Sequence, residues 1–259
     1  ALCMWIAGTS LRAEAWGAGA EDALLGVPAL SGLSDDASAF EPWRHPVVHE
    51  ASRRRPGLAL VRTNAVFDAA VRAVLAQKVT GLQAKRSFQA LARRCGERAP
   101  LPVVERRPLL LPPTPEQTLR ALAGHGATTL GVDATRTAVL REVANVAPHL
   151  ERLTAGSVDD ARAALQRIPG VGVWTANEVT VVAMADADAV SVGDFHLKNF
   201  VSFALAGEPR GTDERMVELL EPFRPHRARA VRLIELSGRR APRYGARMDI
   251  PSHVPVARP

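Results

Sequence analysis

The chain has 259 residues, a formal net charge of +6 at pH 7 and 47% hydrophobic residues, which suits one large globular domain or two smaller ones. Two cysteines, Cys3 and Cys95, are too few for a disulfide framework or an iron–sulfur cluster, and their scarcity fits a reducing cytoplasm. No apolar run approaches the ~18 residues that a membrane span requires.

Arginine dominates the basic residues, because lysine occurs only at Lys78, Lys85 and Lys198. The planar guanidinium group binds phosphate through two parallel hydrogen bonds, so this composition suits a nucleic-acid partner. A GC-rich genome produces the same excess of arginine. Basicity alone therefore leaves the class of partner open.

The first 45 residues have the pattern of a small α/β unit. An apolar run at 2–7 and an alternating segment at 11–16 predict a β-hairpin with one buried face. A helix is expected over 20–25, and the Gly-, Pro-, Ser- and Asp-rich residues 26–45 predict a connection. Because the chain begins with Ala1 rather than Met, we expect that an N-terminal piece of this unit is missing.

From Pro46 onwards the sequence predicts helices. Thr114-Pro-Glu-Gln117 has the form of a capping box, and Asp133 and Ser157 are expected to cap the helices that follow them. The Pro-rich segment 99–115 ends the helix before it. Further helices are expected to begin at Thr212 and at Pro225, and the last ends near Leu236, before a loosely held tail over 238–259.

The most informative stretch runs from Leu165 to Asp194. Within it, Pro169-Gly170-Val171-Gly172 joins two predicted helices by a turn in which glycine permits positive φ and a close backbone approach. The second helix begins near Val173, where free N–H groups and the helix dipole favour a phosphate. An ordinary αα-hairpin with a glycine turn has the same short pattern, whereas the longer string L-x-x-I-P-G-V-G-x-W-T-A is more specific.

Asp194 is the candidate catalytic residue. Gly193 before it and Phe195-His-Leu-Lys after it predict a position at a helix N-terminus, where the dipole favours an ionised carboxylate. Cleavage of an N-glycosidic bond builds positive charge on the sugar, and a carboxylate beside the anomeric carbon stabilises that charge and activates a water. An aspartate that only caps the helix is the alternative.

Residues 165–194 resemble the signature of the helix-hairpin-helix (HhH-GPD) DNA glycosylases, and the chain is most similar to their 3-methyladenine DNA glycosylase II branch. The segments 55–60, 71–77 and 95–97 and Gly131-Val-Asp also resemble that branch. The resemblance thus covers about Arg55 to Leu236.

The resemblance implies a mainly α fold. We expect a two-lobed helical domain over 46–259, with the hairpin at 165–175, the last helices at 212–237 and the tail at 238–259. A remnant of a small α/β domain, like that of TATA-binding protein, is expected over 1–45.

The resemblance also implies the reaction type. It marks Asp194 as catalytic and Trp174 as a base-pocket residue that stacks on an extruded base, although core packing is the alternative for Trp174. Bifunctional members of the superfamily have a lysine at the position of Trp174, which forms a Schiff base with the sugar. An indole lacks that chemistry, so the sequence predicts a monofunctional glycosylase that leaves an intact abasic site.

The base pocket departs from the family pattern. Phe195 matches the aromatic residue that follows the catalytic aspartate, but Glu178 and Glu235 stand where the relatives have stacking rings. These acids are either solvated or paired with arginine, or they form an acidic pocket that recognises a cationic or N–H-bearing damaged base in place of cation–π stacking.

The resemblance further implies contacts with DNA. Gln77 and Lys78 stand where the family inserts a side chain into the gap left by a flipped nucleotide. The usual apolar wedge is absent, so Gln77 is expected to bond the orphaned base and Lys78 a phosphate; a polar helix C-terminus is the alternative. The hairpin residues expected to contact the DNA backbone are Gly170, Gly172, Val173 and Thr175.

A monovalent cation, Na⁺ or K⁺, is implied at the backbone carbonyls of Gln166, Ile168 and Val171, and no other cofactor is expected. The sequence therefore predicts a monomeric, monofunctional DNA glycosylase of the bacterial cytoplasm and nucleoid. It flips damaged, alkylated purines out of double-stranded DNA in base excision repair and has no membrane partner. A non-catalytic hairpin module that binds damaged DNA and a glycosylase for a different lesion remain as alternatives.

Overall fold

The structure, a computed structural model, describes residues 1–100 and 109–242. The Pro-rich residues 101–108 and the tail predicted over 243–259 lie outside the described residues. Within the described part, a small two-stranded sheet precedes a series of α-helices. None of these helices is both long enough and apolar enough to cross a bilayer.

The N-terminal segment forms the predicted hairpin. Its elements are β1 (Leu2–Ala7), β2 (Ser10–Ala15), α1 (Ala20–Leu25) and α2 (Val27–Leu30). The strands are antiparallel, with Trp5 opposite Arg12. The predicted buried face is wrong: no residue of either strand is buried, and Ile6 is 80% exposed. A two-stranded ribbon beside one short helix has too little cover for a core.

The remaining helices are α3 (Pro46–Arg54), α4 (Val66–Leu75), α5 (Gly81–Cys95), α6 (Pro115–Ala121), α7 (Gly126–Thr129), α8 (Ala134–Asn145), α9 (Ala147–Arg152), α10 (Val158–Gln166), α11 (Val173–Met184), α12 (Leu197–Ala206), α13 (Asp213–Leu220) and α14 (Arg227–Leu236). The predicted caps form as expected: Thr114, Asp133 and Ser157 each accept a backbone N–H of the following turn.

Helix α4 is the centre of the larger lobe. Alanines at Ala69, Ala70 and Ala73 let α8 and α11 approach it closely, and most of its residues are buried. The sequence supplies no side-chain cap at its N-terminus. Instead, Glu151 accepts the N–H groups of α4's first two residues at 3.0 and 2.8 Å. At the other end, the buried Arg136 donates to the carbonyl of α4's last residue at 2.9 Å.

The smaller lobe consists of α3, α12, α13 and α14 around a second core, which includes Val48, Met216 and Ile234. An ion pair fixes the N-terminal connection to this lobe. Arg229 of α14 is 2% exposed and donates two hydrogen bonds to Asp35, at 2.8 and 2.6 Å. Residues near position 35 thus pack against the C-terminal helix.

The lobes meet along α11 and the segment 185–196, which we call the Asp194 loop. Ala176 and Val179 of α11 belong to the core of the larger lobe, whereas Val190 of the loop belongs to that of the smaller lobe. The polar residues of α11 face the loop, and they position the candidate site.

Candidate active site

The two glycines of the hairpin differ in whether the fold requires them. Gly170 has φ +84°, and a Cβ there would lie 2.3 Å from Val139 Cγ2. Gly172 has an extended backbone, and a Cβ there would meet nothing within 4 Å. Gly170 is therefore fixed by packing inside the protein, while the space beside Gly172 is open.

Helix α11 begins beside that open space without a side-chain cap at Gly172. In the described residues, the N–H groups of Val173, Trp174 and Thr175 take part in no hydrogen bond. Val173 is exposed. The first turn of α11 thus presents unpaired donors and the positive end of the helix dipole to solvent, the arrangement that binds a phosphate.

Gln77 ties the turn after α4 to the hairpin. Its Nε2 donates to the carbonyl of Gly170 at 3.0 Å and to Thr175 Oγ1 at 2.9 Å. Thr175 is 3% exposed, and its side chain braces the hairpin through Gln77. Gln77 therefore has its amide nitrogen engaged within the protein, and its Oε1 accepts no hydrogen bond among the described residues. Lys78 beside it is exposed and has φ +54°.

Asp194 stands just before α12, as predicted. Its Oδ1 accepts the N–H groups of His196 and Leu197, both at 2.8 Å. Its Oδ2 accepts no hydrogen bond in the described part of the chain. The side chain is half-buried. One oxygen thus fixes the carboxylate at the helix N-terminus, where negative charge is stabilised, and the other remains available.

Long-range contacts hold the Asp194 loop. Asn177 Nδ2 donates to the carbonyl of Val190 at 2.5 Å, and Asp213 Oδ1 accepts the N–H of Gly193 at 3.1 Å. Arg227 forms a two-point ion pair with Asp188 of the loop. Sequence reasoning missed these supports, because they join residues far apart in the chain with no local pattern.

Glu178 lies on the face of α11 that meets the loop. It is mostly buried, and the hydroxyl of Ser191 donates to its Oε1. Burial raises the pKa of the Glu178 carboxyl, and the charges of Asp194 and Glu235 raise it further; the Ser191 hydrogen bond acts in the opposite direction. The structure therefore brings Glu178 and Asp194 into one electrostatic environment.

Trp174 lies one helical turn before Glu178. Its Nε1 is buried and has no hydrogen-bond partner among the described residues. An indole N–H usually finds a partner when it is buried, so this donor is unusual. It lies on the helix face that carries Glu178.

Comparisons with known proteins identify the fold that carries these residues. No protein-family model matches the chain. DNA-3-methyladenine glycosylase 2 of Escherichia coli (strain K12) is 32% identical over 146 residues, which are 56% of this chain and 50% of that protein. The chain thus spans about half the length of that curated relative.

Solved structures match over more of the chain. The 3-methyladenine DNA glycosylase of Archaeoglobus fulgidus has a TM-score of 0.72 at 18% identity, covering 88% of this chain and 77% of that chain. The 3-methyladenine DNA glycosylase of Schizosaccharomyces pombe, in complex with abasic DNA, gives 0.58 at 19%, covering 81% and 94%. The chain has the helix-hairpin-helix DNA glycosylase fold.

The mainly helical fold predicted from the sequence is thereby confirmed. One of the similar structures is named as a lyase as well as a glycosylase. The 8-oxoguanine glycosylase/lyase of Clostridium acetobutylicum, in complex with double-stranded DNA, has a TM-score of 0.67 at 14% identity, covering 90% of this chain and 83% of that chain. The fold alone therefore leaves lyase activity undecided.

The other predicted pocket residues lie nearer the surface of this glycosylase fold. Phe195 is 77% exposed and packs edge-on against His196, with ring centroids 4.9 Å apart. Glu235 of α14 is exposed and forms an ion pair with Arg232 at 3.0 Å. Glu235 acts on Glu178 through its charge. Its pairing with Arg232 agrees with the interpretation of Glu235 as a solvated or arginine-paired acid.

The three hairpin carbonyls implied as ligands of a monovalent cation differ in their hydrogen bonding. The carbonyl of Ile168 accepts the N–H of Val171 at 3.0 Å. Within the described part, the carbonyls of Gln166 and Val171 accept no backbone hydrogen bond, so they are available as ligands. No group of three or more His, Cys, Asp or Glu residues suited to a metal ion occurs among the described residues.

Proposed function

We propose that this protein is a DNA glycosylase that flips an alkylated purine out of duplex DNA and hydrolyses its N-glycosidic bond. The observation that carries the proposal is the geometry of Asp194. One of its oxygens is fixed by two backbone N–H groups, and the other is free to meet a substrate. The name of the curated relative, DNA-3-methyladenine glycosylase 2, supports the choice of lesion.

The hairpin supplies the grip on DNA in this proposal. The unpaired N–H groups at the start of α11 hold a phosphate, and the open space at Gly172 admits the DNA backbone. These contacts position the protein without reading the sequence. Lys78, exposed in the turn that Gln77 ties to the hairpin, faces a neighbouring phosphate or the gap left by the flipped nucleotide.

The chemistry follows from Asp194 Oδ2. As the C1′–N9 bond breaks, positive charge develops on the deoxyribose, and the carboxylate stabilises it. The same oxygen orients a water and accepts its proton as the water attacks C1′. Trp174 and Phe195 provide aromatic surface for the extruded base. The products are a free base and an abasic sugar.

We propose that the reaction stops at this abasic site. Trp174 occupies the position at which a Schiff-base lysine is expected in bifunctional relatives. Lys198, one helical turn after Asp194, is 3.5 Å from Asp213 and holds an ion pair with it. Incubation with abasic DNA and borohydride should therefore trap no covalent complex. A trapped complex that disappears in Lys198→Ala would contradict the absence of lyase activity.

We further propose a monomer that acts on double-stranded DNA at the bacterial nucleoid, with Na⁺ or K⁺ at the hairpin carbonyls. The bacterial origin of the curated relative supports this setting. Double-stranded DNA in the complex with the Clostridium acetobutylicum enzyme supports the duplex as partner. Replacing K⁺ by a bulky organic cation should weaken DNA binding without changing the secondary structure.

The test of the proposal is Asp194→Asn. We expect wild-type protein to generate alkali-labile sites in DNA that contains 7-methylguanine or 3-methyladenine. The variant should lose at least the ~10²–10⁴-fold that general-base catalysis supplies and should still bind the same duplex. A wild type that binds damaged DNA and releases no base would establish the alternative, a non-catalytic hairpin module.

A further inference from the structure

We propose that Glu178 is a second catalytic carboxyl group, which donates a proton to the departing base and extends the substrate range to neutral purine lesions. This inference rests on the proposed glycosylase function. It assigns to the site a leaving-group acid in addition to the carboxylate that assists the attacking water.

Ser191, on the turn before Asp194, links the two carboxyl groups. Ser191 donates its hydroxyl proton to Glu178 Oε1, and its carbonyl accepts the N–H of Asp194 at 3.1 Å. Within the described residues, Glu178 Oε2 accepts no hydrogen bond. This oxygen is not fully buried, so it reaches solvent. Ser191 thus orients Glu178 with one oxygen anchored and the other free.

The two carboxyl groups have different electrostatic surroundings. The charged groups that act on Glu178 are both acids, Asp194 from the loop and Glu235 from α14, and burial adds to their effect by raising the pKa of Glu178. Asp194 instead receives two N–H donors at the start of α12. A raised pKa lets Glu178 keep its proton to higher pH than an ordinary glutamate, which a leaving-group acid requires.

A second observation on the same helix face concerns Trp174. Trp174 Nε1, one helical turn away, is buried and has no acceptor among the described residues. A buried donor without a partner is costly and rare in folded proteins, so this part of the helix face is incompletely satisfied in the free protein. Trp174 and Glu178 lie one turn apart on one helix face, so a base that stacks on the indole comes within reach of the Glu178 carboxyl.

The chemistry of the leaving group explains what the acid adds. A cationic N-alkylpurine leaves as a neutral base, because the electron pair of the C1′–N9 bond cancels its charge. A neutral purine would leave as an anion unless a ring nitrogen gains a proton as that bond breaks. Here the proton of Glu178 moves to the base, and the water that bonds to C1′ gives its proton to Asp194. Asp194 then releases a proton to solvent and Glu178 takes one up, so no net proton is consumed.

The experiment compares two lesions in one duplex sequence, hypoxanthine as the neutral purine and 7-methylguanine as the cation. Single-turnover release is measured for wild type, Glu178→Gln and the surface control Glu50→Gln, with thermal unfolding as the check on folding. The amide oxygen that Glu178→Gln introduces still accepts the Ser191 hydroxyl. We expect Glu178→Gln to slow hypoxanthine release by roughly 10²–10⁴-fold and 7-methylguanine release by about tenfold or less. The control should match wild type.

The pH profile supplies a second readout. Wild-type release of hypoxanthine should fall as pH rises through the pKa of Glu178, and Glu178→Gln should lack that alkaline limb. Equal slowing of both lesions, or slowing of neither, would overturn the role of Glu178. A wild type that releases 7-methylguanine but no hypoxanthine overturns this inference alone, whereas one that binds both duplexes and releases neither base overturns the glycosylase function itself.

Discussion

The carboxyl group of Glu178 makes the stability of the protein depend on pH. Its carboxyl is mostly buried, faces two other acids and has a raised pKa. Below its ordinary value of 4.5 the group is protonated in both folded and unfolded chains. As pH rises above that value, the unfolded chain loses the proton first, so the folded state loses stability until its own pKa is passed.

Glu178→Gln should therefore raise the free energy of unfolding at pH 8 and leave it nearly unchanged at pH 4. Each unit by which the folded pKa is raised corresponds to about 1.4 kcal/mol. Urea unfolding at the two pH values measures the difference. A variant that is less stable than wild type at pH 8 would contradict the buried, proton-holding environment.

The two glycines of the hairpin permit a matched pair of substitutions. Gly170→Ala should destabilise the fold by about 2–4 kcal/mol, because it forces a left-handed alanine against Val139. Gly172→Ala should change stability by no more than about 0.5 kcal/mol, since its Cβ meets open space. If the DNA backbone occupies that space, Gly172→Ala should still weaken binding roughly tenfold, the loss of about one hydrogen bond.

Thermal unfolding and fluorescence anisotropy with a lesion-bearing duplex separate these effects. Undiminished DNA affinity in a folded Gly172→Ala protein would rule out a close approach of DNA at this position.

The packing of some helices depends on charged residues that lie far away in the chain. Arg229 of α14 is buried against Asp35, whose pKa is lowered: burial raises it, but hydrogen bonds from Arg229 and from the N–H of Leu60 outweigh that effect. Asp35→Ala would leave the guanidinium buried and unpaired, at a cost of about 3–5 kcal/mol.

Chemical denaturation of Asp35→Ala measures that cost, and the double variant Asp35→Leu, Arg229→Met is the control. The double variant should recover most of the loss, because it removes both charges. A loss of less than about 0.5 kcal/mol in the single variant would show that the pair is solvated.

The elements also show where sequence reasoning succeeds. The capping box at Thr114, the hairpin glycines and the position of Asp194 before a helix follow from patterns within a few residues. The same holds for helix α1, which has the predicted bounds. The ties from Glu151 to α4, from Asp213 to Gly193 and from Ser191 to Glu178 could not be predicted, because each depends on how the helices pack.

Glu178 and Glu235 illustrate the same limit. The sequence left both acids with two interpretations, and packing separates them: Glu178 is mostly buried beside Asp194, while Glu235 is exposed beside Arg232. Helix α11 has apolar residues around much of its surface, so residue spacing alone does not predict which of its polar side chains are buried. The buried face predicted for the N-terminal hairpin was wrong for a related reason, since cover comes from other elements.

At the scale of the whole molecule, the net charge of +6 is carried largely by arginine. If the protein binds the DNA backbone, its affinity should fall steeply with salt, by a slope of about −0.9 in log K against log salt for each phosphate neutralised. Lys78→Gln should weaken binding at low salt and reduce this slope by about 0.9. Titrations of one duplex from about 50 to 200 mM salt measure it; an unchanged slope would remove Lys78 from the interface.

The hydrogen bond from Gln77 to the hairpin affects how tightly the proposed glycosylase would hold a DNA duplex. Gln77 joins the Lys78 turn to Gly170, and Arg136 and Glu151 fix both ends of the helix that carries this turn. The hairpin and the Lys78 turn, which we propose contact DNA, are thus joined directly, and their relative placement is set when the chain folds. In the proposed complex, a hairpin bound to one phosphate would present the turn to the neighbouring phosphate at a high effective concentration, with little further entropy lost.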